Sequence, residues 1–291
     1  MTKVYMSLST KGIGFSYTQI NVWKLSLALA KKHYGEVSLI TDSDGANILQ
    51  DLPFDNVIIQ LNDIPNYNTI WSLGKIYAYK YICGLNEPFL HLDGDVFLWE
   101  KLPENLTDSA IFVQSKDEKI NEHNIYNIFK LQADLNCALP YEWITSAGLQ
   151  CYNMGIFGGA NLTLINNYCD FVINMINNPL YANLWNGVPG VISNNSNDNF
   201  NSSNTKATMV EQGNFGIYCH NNNITPSLFF NNISDDDNIT YKKYTHLILN
   251  KNEPAILERI AARLSKIPYD LTVREVPLSE WHNFNYVTEP D

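Results

Sequence analysis

Apolar and polar positions follow two rhythms along this chain. Short apolar runs bounded by Gly, Asp and Asn occur at residues 4–8, 36–41, 56–61, 89–92 and 110–115, and such runs predict strands. Between them apolar residues recur at helical spacing. One set is Ile20, Trp23, Leu27, Ala30 and Tyr34, with Lys24, Lys31 and Lys32 toward the wet side. Another is Ile70, Leu73, Tyr77 and Tyr81, within a helix expected over 69–83. A further helix is expected over 118–135. Strands alternating with helices predict an α/β fold, with a mostly parallel central sheet flanked by helices on both faces. Ligands in such folds bind beyond the carboxyl ends of the strands.

The second half is less regular. The pattern predicts a strand over 150–156, a glycine turn at Gly158 and Gly159, and a helix over 161–177. Residues 186–204, rich in Asn, Ser and Gly, read as a long loop and a candidate lid. A helix over 208–218, a strand over 241–249 and a helix over 254–264 follow, the last with Pro254 near its start. The tail from Pro268 is unassigned.

The stretch 87–101, E-P-F-L-H-L-D-G-D-V-F-L-W-E-K, organises the rest. Two apolar runs enclose Asp93-Gly94-Asp95. Carboxylates at the end of a buried strand are costly unless something pairs with them. In extended geometry the two side chains share a face, about 6.5–7 Å apart. That arrangement suits one divalent cation, direct or through water, with positions left for phosphates. Gly94 is expected to let backbone and ligand come close. His91 shares the same strand face; its place inside the apolar run favours a hydrogen-bonded core role.

Composition narrows the options. The 291 residues are 45% hydrophobic, enough for a sizeable core. A net charge of -11 without a basic block makes a poor nucleic-acid or anionic-membrane binder. The cysteines, Cys83, Cys137, Cys151, Cys169 and Cys219, are odd in number and show no Cys-x-x-Cys spacing. That argues against a disulfide framework or zinc ribbon and for reduced thiols. No signal peptide or transmembrane span is predicted, and a cytoplasmic location is expected.

Asp93-Gly94-Asp95, after several βα units, resembles the Asp-x-Asp motif of GT-A-fold glycosyltransferases, most like the glycosyltransferase family 8 group that includes glycogenin. The resemblance covers roughly residues 1–255 and is strongest near 69–103. It implies a GT-A-like nucleotide-binding fold, with a nucleotide-sugar half over 1–103, a sugar and acceptor half over 104–255, and a C-terminal helix and tail over 256–291. It also implies Mn2+ or Mg2+ held by Asp93 and Asp95 on the diphosphate of a UDP-sugar donor. Three further stretches fit in order. T-I-W-S-L-G-K-I-Y-A-Y-K, residues 69–80, offers Lys75, with Lys80 in reserve, to the donor. Y-N-M-G-I-F-G-G-A-N, residues 152–161, is similar to the family's Asn-Ser-Gly stretch, where Asn153 would meet sugar hydroxyls and Gly155 would admit a close backbone. T-H-L-I-L-N-K, residues 245–251, supplies His246 as a third metal ligand and Lys251 for the diphosphate, although the family's intervening glycine is missing. Glu211-Gln212 looks like the family's Asp-Gln-Asp, but the first acid is lengthened and the third position is Gly213; both residues would face donor sugar and acceptor. Ser7, Ser9 and Asp42 occupy the strand ends where base and ribose would lie. The acceptor would be a carbohydrate, protein or lipid-linked group, and the family implies retention at the anomeric carbon.

Rival readings differ at particular positions. A haloacid-dehalogenase-type phosphohydrolase also carries Asp-x-Asp, but wants Thr or Val two positions after the second aspartate, where this chain has Phe97. A Rossmann fingerprint fails because Gly12-Ile13-Gly14-Phe15-Ser16-Tyr17 lacks the third glycine. A nucleotide-sugar- or carbohydrate-binding protein without turnover stays open.

Overall fold

The computed structural model describes residues 2–11, 19–67, 70–122, 124–186, 202–231, 244–247 and 254–265. Its strands are β1 Lys3–Leu8, β2 Val37–Thr41, β3 Asn56–Ile59, β4 Phe89–Leu92, β5 Val96–Leu98, β6 Phe112–Lys119, β7 Gln150–Gly159, β8 Ser227–Leu228 and β9 Tyr244–His246. Its helices are α1 Ile20–Tyr34, α2 Ser43–Ile48, α3 Leu73–Cys83, α4 Glu104–Thr107, α5 Ile128–Leu135, α6 Tyr141–Ile144, α7 Leu162–Ile176, α8 Ala182–Asn186, α9 Ser202–Thr208, α10 Asn214–Asn221 and α11 Pro254–Leu264. A π-helical turn, Met209–Gly213, joins α9 to α10.

The main sheet has the order β3-β2-β1-β4-β7-β6-β8. It is mostly parallel, with β7 antiparallel to both neighbours. The expected α/β class holds. Alternation along the strands divides the core. Val4, Met6, Leu8, Leu90, Leu92 and Ile156 face the α1 side. Tyr5, Phe89, Val113 and Phe157 face α3 and α7. On that second side Tyr79, Phe89 and Phe157 pack ring against ring, with Tyr79 and Phe157 centroids 4.5 Å apart. α11 lays Leu257 and Ile260 against Val22, Leu25 and Leu29 of α1 and Phe97 of β5, and Arg263 stacks over Trp99. The boundary expected after residue 255 falls inside α11.

Four local readings are corrected. First, Asp93 and Asp95 do not continue the strand in extended geometry. β4 ends at Leu92, Asp93 to Asp95 form a turn closed by the Val96 N–H to Asp93 carbonyl bond (3.1 Å), and β5 leaves to pair with β9. Second, residues 118 and 119 extend β6 rather than start a helix, because β7 supplies backbone partners as far as Lys119 opposite Gln150. Third, Gly158 and Gly159 continue β7 rather than turn. A Cβ on Gly158 would lie 2.1 Å from the Phe89 carbonyl oxygen, so the close strand approach requires glycine there. Fourth, Asp42-Ser43-Asp44-Gly45, a cluster whose composition predicts a turn at the end of the second strand, starts α2 instead, with Asp42 as its N-cap accepting from the Gly45 N–H. Residues 202–204 of the expected loop are helical; 187–201 lie outside the described residues, as do Lys251 and the tail.

Candidate metal and diphosphate site

The parallel strands β1 and β2 end together at Leu8 and Thr41, and β4 ends beside them at Leu92, opposite Met6. Their carboxyl edge is where ligands are expected. The turn after β4 brings Asp93 and Asp95 round to His246 on β9. One donor atom from each of the three lies within 4.8 Å of the others. The two carboxylates converge from a turn rather than from one pleat.

His246 is held in a specific orientation. Its Nδ1 is 3.0 Å from Gln114 Oε1, an oxygen that also accepts from the Tyr244 hydroxyl. An amide oxygen only accepts, so Nδ1 is the donor in this contact and Nε2 is the nitrogen turned to the site. Nε2 faces Asp95 Oδ1 at 3.4 Å. A carboxylate and a ring nitrogen this close call for positive charge between them, from a cation or from a ring proton. The side chains are only 8% and 9% exposed, so water screens this poorly. Room for the imidazole comes from Gly155: a Cβ there would sit 2.5 Å from His246 Cε1 and 2.6 Å from Gln114 Oε1. The Gly155 carbonyl also accepts the Asp93 N–H at 3.0 Å. One glycine thus serves both halves of the site. Gly94, by contrast, does not open the site to a ligand. A Cβ on it would meet the Trp23 ring at 2.1 Å, so its smallness seats α1.

Beneath the trio lies a second charged group. Lys75 Nζ is 2.6 Å from Asp93 Oδ2 and 3.1 Å from Glu211 Oε1. The Trp71 ring lies 5.6 Å from the same nitrogen. Burial alone would lower the Lys75 ammonium, but the Asp93 and Glu211 carboxylates reverse this and raise it above its ordinary value. Burial raises the Glu211 carboxyl, Lys75 opposes that, and Asp93 adds to it. Glu211 is 0% exposed and sits on the π-helical turn, a distortion found often at functional sites. Its backbone carbonyl accepts the Tyr168 hydroxyl at 2.8 Å.

The remaining expected residues lie around this centre. Ser7 donates to or accepts from His91 Nε2 at 2.8 Å, and His91 is wholly buried, edge-on to Tyr79. Burial lowers its imidazole to about 3, so it is neutral at ordinary pH. Its Nδ1 points toward Asp93 Oδ1 at 4.0 Å. Asp42 takes the Thr10 N–H, the Gly45 N–H and the Ser9 hydroxyl, knitting the loop after β1 to α2. Asn153 is buried, its Oδ1 accepting the Gly155 N–H at 3.0 Å. Gln212 meets the Tyr126 hydroxyl, which also lies 3.0 Å from Asp117 Oδ2. Lys80 reaches Asp170, away from the trio. Gln114, Trp71 and Tyr79 escape the sequence reading. The signal for Gln114 was present: a polar residue inside the apolar run of 110–115, buried without residual exposure. An open cleft of about 590 Å³, lined by Asn86, Ala110 and Asn161, lies at the opposite end of β4 and belongs to no part of this centre.

Residues 6–271 match the family described as Family of unknown function (DUF6734). The chain belongs to that family. No curated protein matches it. Among solved structures, this DUF6734 chain is similar to an active-site mutant of LgtC at 12% identity and TM-score 0.45, over 97% of this chain and 99% of that one. It is similar to PaToxG glycosyltransferase at 15% identity and TM-score 0.38, over 76% and 69%. It is also similar to mouse xyloside xylosyltransferase 1, apo form, at 10% identity and TM-score 0.32, over 60% and 74%. At these identities no residue role passes from one chain to another. Among the described residues no helix is long and apolar enough to cross a membrane.

Proposed function

We propose that this chain is a metal-dependent glycosyltransferase that moves a sugar from a UDP-sugar to a hydroxyl acceptor. The observation that carries the reading is the convergence of Asp93, Asp95 and His246, one donor atom from each lying within 4.8 Å of the others. A further sign is Asp93 Oδ1, buried without a hydrogen-bond partner among the described residues. Two carboxylates and one imidazole suit Mn2+ better than Mg2+. Asp93, Asp95 and His246 would hold the ion; when bound, it supplies positive charge to the diphosphate oxygens as the nucleoside diphosphate leaves.

The chain's own groups prepare that departure. Gln114 accepts from His246 Nδ1 and orients the ring, so that Nε2 is the nitrogen that would ligate. Lys75 opposes the rise that burial imposes on the Glu211 carboxyl and would add a cation beside Asp93. Asn153 has its carbonyl end occupied by the Gly155 N–H, which leaves its amide NH2 to meet sugar hydroxyls. Gln212, adjoining Glu211 on the same turn, would orient donor sugar or acceptor. Ser7, Ser9 and Asp42 at the strand ends would line the nucleoside side, and Lys251 would meet the diphosphate from beyond β9. Retention at the anomeric carbon and hexosyl transfer accompany this reading.

The test is release of UDP from a panel of UDP-sugars with and without Mn2+. Metal-dependent UDP release, lost in Asp95→Asn, supports the proposal. Release of inorganic phosphate from sugar phosphates, with a trapped phosphoaspartate on Asp93, would instead establish a dehalogenase-type hydrolase.

A further inference from the structure

The turn after β4 places Asp93 between two cation positions. One is the trio with Asp95 and His246. The other is already taken by Lys75, whose ammonium sits 2.6 Å from Asp93 Oδ2. The same ammonium has a second carboxylate in reach, with Glu211 Oε1 at 3.1 Å and Oε2 at 3.4 Å. We propose that Lys75 is an internal counter-cation that shares Asp93 with the divalent ion, and that Glu211 takes up Lys75 when the ion enters. The proposal rests on the metal reading above and assigns Glu211 a task apart from any contact with sugar.

The argument is one of charge and reach. A dication on Asp93 draws electron density from that carboxylate and repels an ammonium a few ångströms away. Lys75 must then weaken its short contact. The alternative partner is already within hydrogen-bond distance, so a shift of a fraction of an ångström suffices and no new rotamer is needed. Glu211 is built to receive it. It is 0% exposed, so its charge is poorly hydrated, and its other side-chain contact is the Tyr79 hydroxyl at 3.4 Å. Its backbone is pinned by Tyr168 on the π-helical turn, so it cannot swing out to water. Lys75 is equally confined. The start of α3 is pressed against Ser9, where a Cβ on Gly74 would lie 2.5 Å from Ser9 Cβ, and the Ser72 hydroxyl donates to the Ala207 carbonyl at 2.7 Å. Side-chain exposure of 13% leaves the ammonium little water to escape into. Metal affinity is therefore set by how readily Lys75 moves from Asp93 toward Glu211.

The experiment is a Mn2+ titration of the full chain, followed by loss of the free aqueous Mn2+ signal in electron paramagnetic resonance, which needs no substrate or turnover. Lys75→Met removes the competing charge and should tighten Mn2+ binding about tenfold or more. Glu211→Gln leaves Lys75 on Asp93 and should weaken binding about tenfold. In the Lys75→Met background, Glu211→Gln should change affinity less than about threefold, because nothing remains to be received. Lys75→Arg should stay near wild type. If Lys75→Met does not fold by circular dichroism, Lys75→Gln carries the same expectation. A folded Lys75→Met or Lys75→Gln variant with wild-type or weaker affinity overturns the proposal. So does a Glu211→Gln effect of equal size in both backgrounds. Wild-type protein that binds no Mn2+ overturns the metal reading and this inference together, whereas a binding wild type with unchanged variants overturns this inference alone.

Discussion

Replacing Gly155 with alanine isolates His246 from the rest of the centre. Gly155 lies in β7 and is not among the positive-φ residues, so alanine meets no backbone penalty there. The whole effect is steric. The added Cβ would be 2.5 Å from His246 Cε1, 2.6 Å from Gln114 Oε1 and 2.7 Å from His246 Nδ1. Relaxing to ordinary contact requires the imidazole and the amide to retreat by about 1 Å, which also stretches the bond that orients the ring. Overpacking of this kind costs about 1–3 kcal/mol, too little to unfold a domain with a core this extensive. The loss should fall on the metal: about tenfold to hundredfold in Mn2+ affinity, the range seen when a ligand loses its orienting partner. Calorimetric titration with Mn2+, beside a denaturant melt of the same preparation, separates the two quantities. A folded Gly155→Ala protein with wild-type Mn2+ affinity would show that His246 does not hold the ion.

Two further outcomes concern stability. Gly94→Ala should destabilise by about 1–3 kcal/mol, since the new methyl would lie within 2.1–2.5 Å of three Trp23 ring atoms; a urea midpoint unchanged from wild type would refute the packing. Lys206 is buried on α9, its ammonium donating to the Leu184 carbonyl at 3.3 Å, and burial lowers it to about 8. The folded state then binds fewer protons than the unfolded state as pH passes from about 8 toward about 10.5, so this group's cost is full below that window and fades across it. Lys206→Met should therefore stabilise by about 1–2 kcal/mol at pH 7, with the advantage shrinking as pH rises; an advantage that is constant with pH would count against the burial of a charged amine.

Much of this centre was legible because it is local or periodic. α1 was read to its ends from Ile20 to Tyr34, and α11 from Pro254 to Leu264, because each carries a continuous apolar stripe. Asp93 and Asp95 stood out as carboxylates between apolar runs, and His246 was placed with them by the order of motifs. What failed depended on partners distant in sequence. Nothing near Asp93 states that β5 leaves the main sheet for β9, so the turn was read as a pleat. The strand character of residues 118 and 119 comes from β7, some thirty residues on. Gly94 and Gly155 were both read as openings for ligand, while a Cβ on either would collide with a side chain from another element, Trp23 or His246. The Lys75–Glu211 pair spans 136 residues and has no local signature at either end.

The most direct measurement of the central claim is the melting temperature of the full chain with UDP and Mn2+, separately and together. A ligand that binds only the folded state stabilises it by about 2.7 kcal/mol at a hundred times its dissociation constant. If Asp93, Asp95 and His246 hold an ion that a diphosphate shares, the pair should raise the melting temperature beyond the sum of the separate shifts, and Asp95→Asn should abolish that excess. No excess with any nucleoside diphosphate, or an excess that persists in Asp95→Asn, would contradict the account.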